Sequence, residues 1–313
     1  MAVAASPSPS GPLDLRGNPA RRRRELAVRL VFGSAALVSI VISVLIVLAL
    51  IGNAFNFAFG IDIGLLFERG WFPRRELYGL PTILAGTVVI AGIGMLVATP
   101  LGLGAAIYLS EYASPRSRRI LKPILEVLAG IPSVVLGFFA LTFLSPTIVD
   151  PVCPGSTEIF NMAAAGIGVG ILITPLVASV AEDAMFAVPR SLREASYGLG
   201  ARKRTTSLQI VFPAAVSGIV AALILGVSRG IGETMVVAIA AGATGGSLFQ
   251  LNPCEPGQTM TAAMTAVATG SDQVTAGNPA FYSLFFVGML LFLVTLALNL
   301  VADAYVRRVR KQI

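Results

Sequence analysis

The chain has 313 residues, of which 55% are hydrophobic and only 12% charged, and its mean hydropathy is +0.82. Soluble domains carry about twice that share of charge, so a soluble fold is excluded. With no histidine, two cysteines and no G-x-x-x-x-G-K-[ST] loop, the common general base, sulfur-rich metal sites and a phosphate cradle are all missing. No enzymatic chemistry, metal or cofactor is expected. The net charge of +7 forms no single patch, and no nucleic-acid partner is expected.

In chain order, residues 1–25 open with a Ser-, Pro-, Gly- and Ala-rich stretch and read as a disordered tail. Residues 26–313 read as one membrane domain. The run Arg21–Arg24 precedes an apolar stretch at 26–52, about twice the length of a signal-peptide core, which reads as a retained first membrane helix. Further apolar stretches follow at roughly 80–109, 121–145, 162–181, 210–242 and 280–304. Each reaches or approaches the ~20 residues that cross a bilayer as helix. The fifth is longer than one perpendicular crossing, so it must tilt, kink or leave the bilayer.

Basic residues give the orientation. They cluster before the first helix (Arg16, Arg21–Arg24, Arg29), in the second loop (Arg116, Arg118, Arg119, Lys122), in the fourth (Arg190, Arg193, Arg202, Lys203, Arg204) and at the end (Arg307, Arg308, Arg310, Lys311). The alternate loops hold only Arg69, Arg74 and Arg75. By the positive-inside rule both termini of a protein with six membrane helices are expected in the cytoplasm. Small residues and prolines such as Gly92, Gly94, Gly102, Gly104, Pro100, Pro132 and Pro175 suit close helix packing.

The loop at about 182–213 carries the strongest signal. Ser191 with Glu194 three residues later reads as a capping box after Pro189, and Leu192, Ala195 and Leu199 fall on one face. Gly198 and Gly200 then end the helix, and a second helical piece leads through Pro213 into the membrane. An ordinary interfacial helix is the alternative.

Two charges lie inside the fifth apolar stretch. Arg229 and Glu233, four residues apart, would share a helix face. An intramembrane arginine is costly, about 2.5–3.5 kcal/mol on insertion scales. Its donor fork matches two oxygens of a tetrahedral oxyanion; mutual neutralisation is the alternative. Ser133 and Thr234 are candidate further donors, with a bond to a neighbouring helix carbonyl as the alternative for each. Glu126 reads as an interfacial acid facing Lys122, with a place on the path as its alternative. Cys153 and Cys254 sit in Pro- and Gly-rich turns of two loops assigned to the outer face. A disulfide there would close a loop of roughly 100 residues, about 4–5 kcal/mol in the chain-entropy model; the alternative is two unrelated small residues.

The 182–213 loop resembles the E-A-A-x-x-x-G signature of ABC importer permeases, through Glu194, Ala195, Ser196 and Gly200, with Ile210, Phe212 and Pro213 trailing. That family has Ala where Ser196 stands and usually Leu at Phe212. The segments 126–141, 188–201 and 224–242 are similar to the membrane subunits of the phosphate-specific importer, and 232–235 resembles its C-type subunit more than the A-type. The resemblance implies an all-α type I (MetI-like) permease fold and a subunit that is not itself an enzyme. It implies an ATP-driven importer of inorganic phosphate, with Ser191, Glu194, Ala195, Ser196 and Gly200 coupling to a separate pair of ATP-binding subunits. A second, A-type permease subunit and an extracytoplasmic phosphate-binding protein complete the implied assembly in lipid. It associates Arg229 and Glu233 with the path. Sulfate or molybdate as cargo, and an ATP-independent secondary transporter, are the alternatives.

Overall fold

The computed structural model describes residues 19–154, 158–242, 246–269 and 278–310, without the side chains of 19–22, 305 and 308–310. Most of the expected tail lies outside these residues. The chain divides into two units, 1–49 and 50–313. In the first, the described residues belong to helix α1 (Pro19–Gly60), whose apolar side chains from Leu30 to Ile46 are exposed. A helix so apolar on every side is a membrane span rather than a water-facing rod.

The second unit holds the rest of α1, a small hairpin (β1, Trp71–Phe72; β2, Leu77–Tyr78) and α2 (Leu80–Ile107). Next come α3 (Pro115–Ala129), α4 (Ser133–Phe139), α5 (Met162–Phe186) and α6 (Arg190–Gly198). The remainder is α7 (Lys203–Thr205), α8 (Phe212–Ala214), α9 (Val216–Ile231), α10 (Met235–Ala240), α11 (Met260–Thr269) and α12 (Pro279–Arg310). Wider π turns extend α2 to Tyr112 and α4 to Val149, and join α7 to α8. Four helices are long and apolar enough to cross a membrane, or six when each of two bent pairs counts as one span.

The two bends correct the straight segments expected from hydropathy. The stretch at 121–145 is no single helix: α3 ends at Gly130, and the helix that restarts at Ser133 is turned by 86°. Pro132, lacking an amide hydrogen, cannot continue the ladder. The stretch at 210–242 turns by 71° between Ala214 and Val216, and breaks again at Gly232–Thr234 before α10.

Helices α2 and α5 form the central pair. A Cβ placed on Gly166 or Gly170 would lie 2.7 Å from the Cβ of Ile93 or Val97, so these backbones pack closer than alanine allows. Gly94 and Gly102 face α5 in the same way, whereas Gly92 and Gly104 have open space. Around the pair lie three buried clusters. One, with Phe57, Trp71 and Tyr78, seats the hairpin; one, with Ala140, Val169 and Val236, joins α4, α5 and α10; and one, with Ala106, Met185, Val211 and Ile219, lies towards α6.

Candidate functional site: a broken helix and a docking knob

Helix α9 ends at Ile231, so Arg229 and Glu233 straddle a helix end rather than sharing one continuous face. Thr261 donates to the Glu233 carbonyl at 2.7 Å, Thr259 and Thr261 are hydrogen-bonded at 3.0 Å, and the Met260 amide donates to Thr87 at 3.0 Å. These threonines occupy carbonyl and amide groups that the ladder leaves unmatched, which the interior requires. The Glu233 side chain is 4% exposed, its Oε1 accepting from the Val236 amide at 3.4 Å. The Arg229 side chain is 56% exposed and reaches Glu233 only at 3.9 Å. The pair is thus a fixed acid and a loosely tethered guanidinium whose donor fork is largely open. Thr234 is half-buried beside the break, its hydroxyl 3.4 Å from the Gly232 carbonyl. Ser133 opens α4, half-buried, just after the Pro132 break.

The knob is α6 and its return. No capping box forms: the helix begins at Arg190 with Pro189 as its N-cap, so Ser191 lies inside the first turn without a capping bond. The other end is tightly built. Gly200 has φ +78°, its amide donates to Tyr197 at 2.9 Å, and the Ala201 amide donates to Ser196 at 3.1 Å. Those two bonds are the Schellman pattern, with glycine in the left-handed position it tolerates. Ser196 is buried and hydrogen-bonded to the buried Thr206 at 2.9 Å, pinning α6 to the returning π turn. Glu194 and Ala195 are exposed, as are Leu192, Tyr197 and Leu199, the last at 91%. Large apolar side chains exposed on a polar knob are a surface suited to a partner chain.

Beneath the knob lie ion pairs that sequence reasoning missed. Arg193 reaches back to Glu111 at 2.8 and 3.3 Å and donates to the carbonyls of Met185 (2.9 Å) and Val188 (2.6 Å). This ties α6 to the ends of α2 and α5. Glu182, fully buried, receives Lys122 at 2.8 Å and pairs with Arg118, which also lies 3.6 Å from the Phe186 ring centre. The Arg118 contact to Oε1 is an ion pair out of hydrogen-bond alignment. Lys122 also holds Asp183 at 2.5 Å. Glu126 is exposed, and Lys122 turns to α5 rather than to it. Burial opposes the Lys122 charge, but its bonds to Asp183 and Glu182 outweigh that and hold its pKa above the ordinary lysine value. Partners 60 and 82 residues apart leave no local sequence pattern.

At the other end of the second unit, Cys153 and Cys254 are bonded, with Cα atoms 5.8 Å apart. Among the described residues no cluster of acids, histidine and cysteine fits a metal.

Bent apolar helices packed on glycines, with an exposed apolar knob anchored to their ends, are the architecture of a polytopic membrane protein. Residues 98–311 match the family of the binding-protein-dependent transport system inner membrane component, and the chain belongs to that family. It is therefore a multi-pass inner-membrane transport component, not an enzyme. Two relatives bear this out: a probable ABC transporter permease of Bacillus subtilis, 31% identical over 88% of each chain, and a phosphate transport system permease of Xylella fastidiosa, 30% identical over 80% of each. The crystal structure of a bacterial ABC transporter involved in alginate import shares the fold, with a TM-score of 0.60 at 17% identity, covering 92% of this chain and 99% of that one.

Proposed function

We propose that the chain is the C-type membrane subunit of an ATP-driven phosphate importer, with both termini cytoplasmic. The observation that carries the reading is the Arg229–Glu233 pair at the helix break: a half-exposed guanidinium, loosely held at 3.9 Å from a buried acid. A free fork of donors meets a tetrahedral oxyanion, and the nearby carboxylate keeps the encounter weak enough for release. Thr234 and Ser133 serve as further donors where the two broken helices restart. The Xylella relative named as a phosphate permease supports phosphate over sulfate or molybdate.

Coupling falls to Glu194, Ala195 and the apolar side chains of α6. With the exposed Ser191 beside them they meet a dimer of ATP-binding subunits, while Ser196 and Gly200 keep the knob rigid. A second, A-type permease subunit faces Arg229, and an external phosphate-binding protein delivers the cargo. The Cys153–Cys254 bond braces the outer mouth where that protein docks. The test is uptake into proteoliposomes holding the whole importer. Phosphate should accumulate with ATP and binding protein, and Arg229→Gln should abolish it while the ATP-binding subunits still copurify. Equal accumulation of sulfate or molybdate, or uptake without ATP, would overturn the cargo or the class. Reporter fusions after Gly60 and Leu251 should read external, and after Ser117 and Gly200 internal.

A further inference from the structure

Helix α3 spans 15 residues and buries none of them. Its start is firmly set: Pro115 takes the first position and the Ser114 hydroxyl accepts from the Ser117 amide at 3.1 Å. One flank is accounted for, because Arg118 and Lys122 clamp it to Glu182 and Asp183 on α5. The opposite flank is not. At helical spacing Arg116, Ile120, Ile124 and Val127 fall in one strip bordered by Arg119. Ile120, Ile124 and Val127 are 63, 48 and 73% exposed, and Arg116 and Arg119 are exposed too. Among the described residues neither arginine has an ion-pair partner, and the one acid of the helix, Glu126, lies two turns from Arg119.

Orientation limits what covers this strip. The helix is turned 86° from the span that follows it; with that span crossing the bilayer, α3 runs across its end, along the plane where bilayer meets water. A β-branched strip flanked by arginines in that plane has the chemistry of an interfacial anchor: apolar side chains below the headgroups, cations level with them. Unpaired arginines at that level favour anionic headgroups over zwitterionic ones.

We infer that α3 is an anchor for anionic phospholipid, with Arg116 and Arg119 binding the headgroups while Ile120, Ile124 and Val127 enter the acyl boundary. This rests on the reading that the α3 end of the protein faces the cytoplasmic leaflet. The clamp of α3 onto α5 then ties that leaflet to the helix whose end holds Arg193 and the knob.

The test uses the assembled importer in lipid nanodiscs, with the other subunits free of cysteine. Because Cys153 and Cys254 are bonded, Ile124→Cys supplies the one free thiol, which takes an environment-sensitive fluorophore. Brominated phosphatidylglycerol should quench the probe several-fold more than brominated phosphatidylcholine at the same fraction. Arg116→Gln with Arg119→Gln should remove that preference while quenching by lipid persists. Equal quenching by the two lipids in the parent protein would overturn the headgroup assignment. Quenching by aqueous iodide would place the helix in water, and protection from every quencher would mean that a protein chain covers it; either overturns the anchor. None of these readouts depends on the cargo, so a failed phosphate reading would leave them intact.

Discussion

Two charge systems in this chain use the same residue types to opposite ends. Beneath the knob, Arg193 makes four hydrogen bonds to Glu111 and two carbonyls, and buried Glu182 takes two cations. At the helix break, Arg229 has among the described residues one ion pair, at 3.9 Å, and is more than half exposed. A buried ion pair holds its geometry only when the surrounding hydrogen bonds repay desolvation. The lower system meets that condition and acts as a joint. The Arg229 pair does not, and an arginine left that free is available to something else.

Mutations separate the two. Arg193→Gln should have the largest structural effect, because it strands the buried Glu111 carboxylate, at about 3–5 kcal/mol. A lowered melting temperature and lost copurification of the ATP-binding subunits would register it; an unchanged melt would remove the joint from the account. Glu182→Gln should cost less, about 2–3 kcal/mol, since Asp183 still holds Lys122. Glu233→Gln should leave assembly intact yet slow phosphate uptake several-fold, through an arginine that releases its anion late; faster uptake would invert the role of the acid.

Smaller effects sharpen the knob. A Cβ at Gly200 meets nothing within 4 Å, so only the left-handed backbone opposes substitution. Gly200→Ala should cost about 1 kcal/mol and weaken coupled ATP hydrolysis, whereas Gly200→Asn, which tolerates that backbone, should be nearly silent. Equal damage from both would point to a docking contact at the glycine itself. The Lys122 contribution carries a pH signature. Its pKa is raised, so the stabilisation is fully present below the ordinary lysine value and fades only as pH climbs past it. The melting difference between Lys122→Met and the parent should therefore stay flat from about pH 6 to 9.

The apolar stretches, the helical knob after α5 and the odd arginine of the fifth stretch were legible in the sequence, because length, spacing and charge act locally. Gly200 ends its helix as its place after the apolar face implies. The turn at Gly130–Pro132 was hidden, although both residues were in view, since hydropathy averages run straight across it. Ser191 was misassigned because a Ser-x-x-Glu pattern also fits inside a first turn when Pro189 starts the helix earlier. The Glu111–Arg193 and Lys122–Glu182 pairs had no local signal, because each joins segments that meet only after α2, α3 and α5 have packed.

The central claim is that the Arg229 pair serves transport and not the fold. Its most direct test is a paired measurement on Arg229→Gln in the assembled importer: melting temperature and phosphate uptake on one preparation. The account predicts melting within about 2 °C of the parent and no uptake. A melt that falls together with uptake, or uptake that persists, would contradict it.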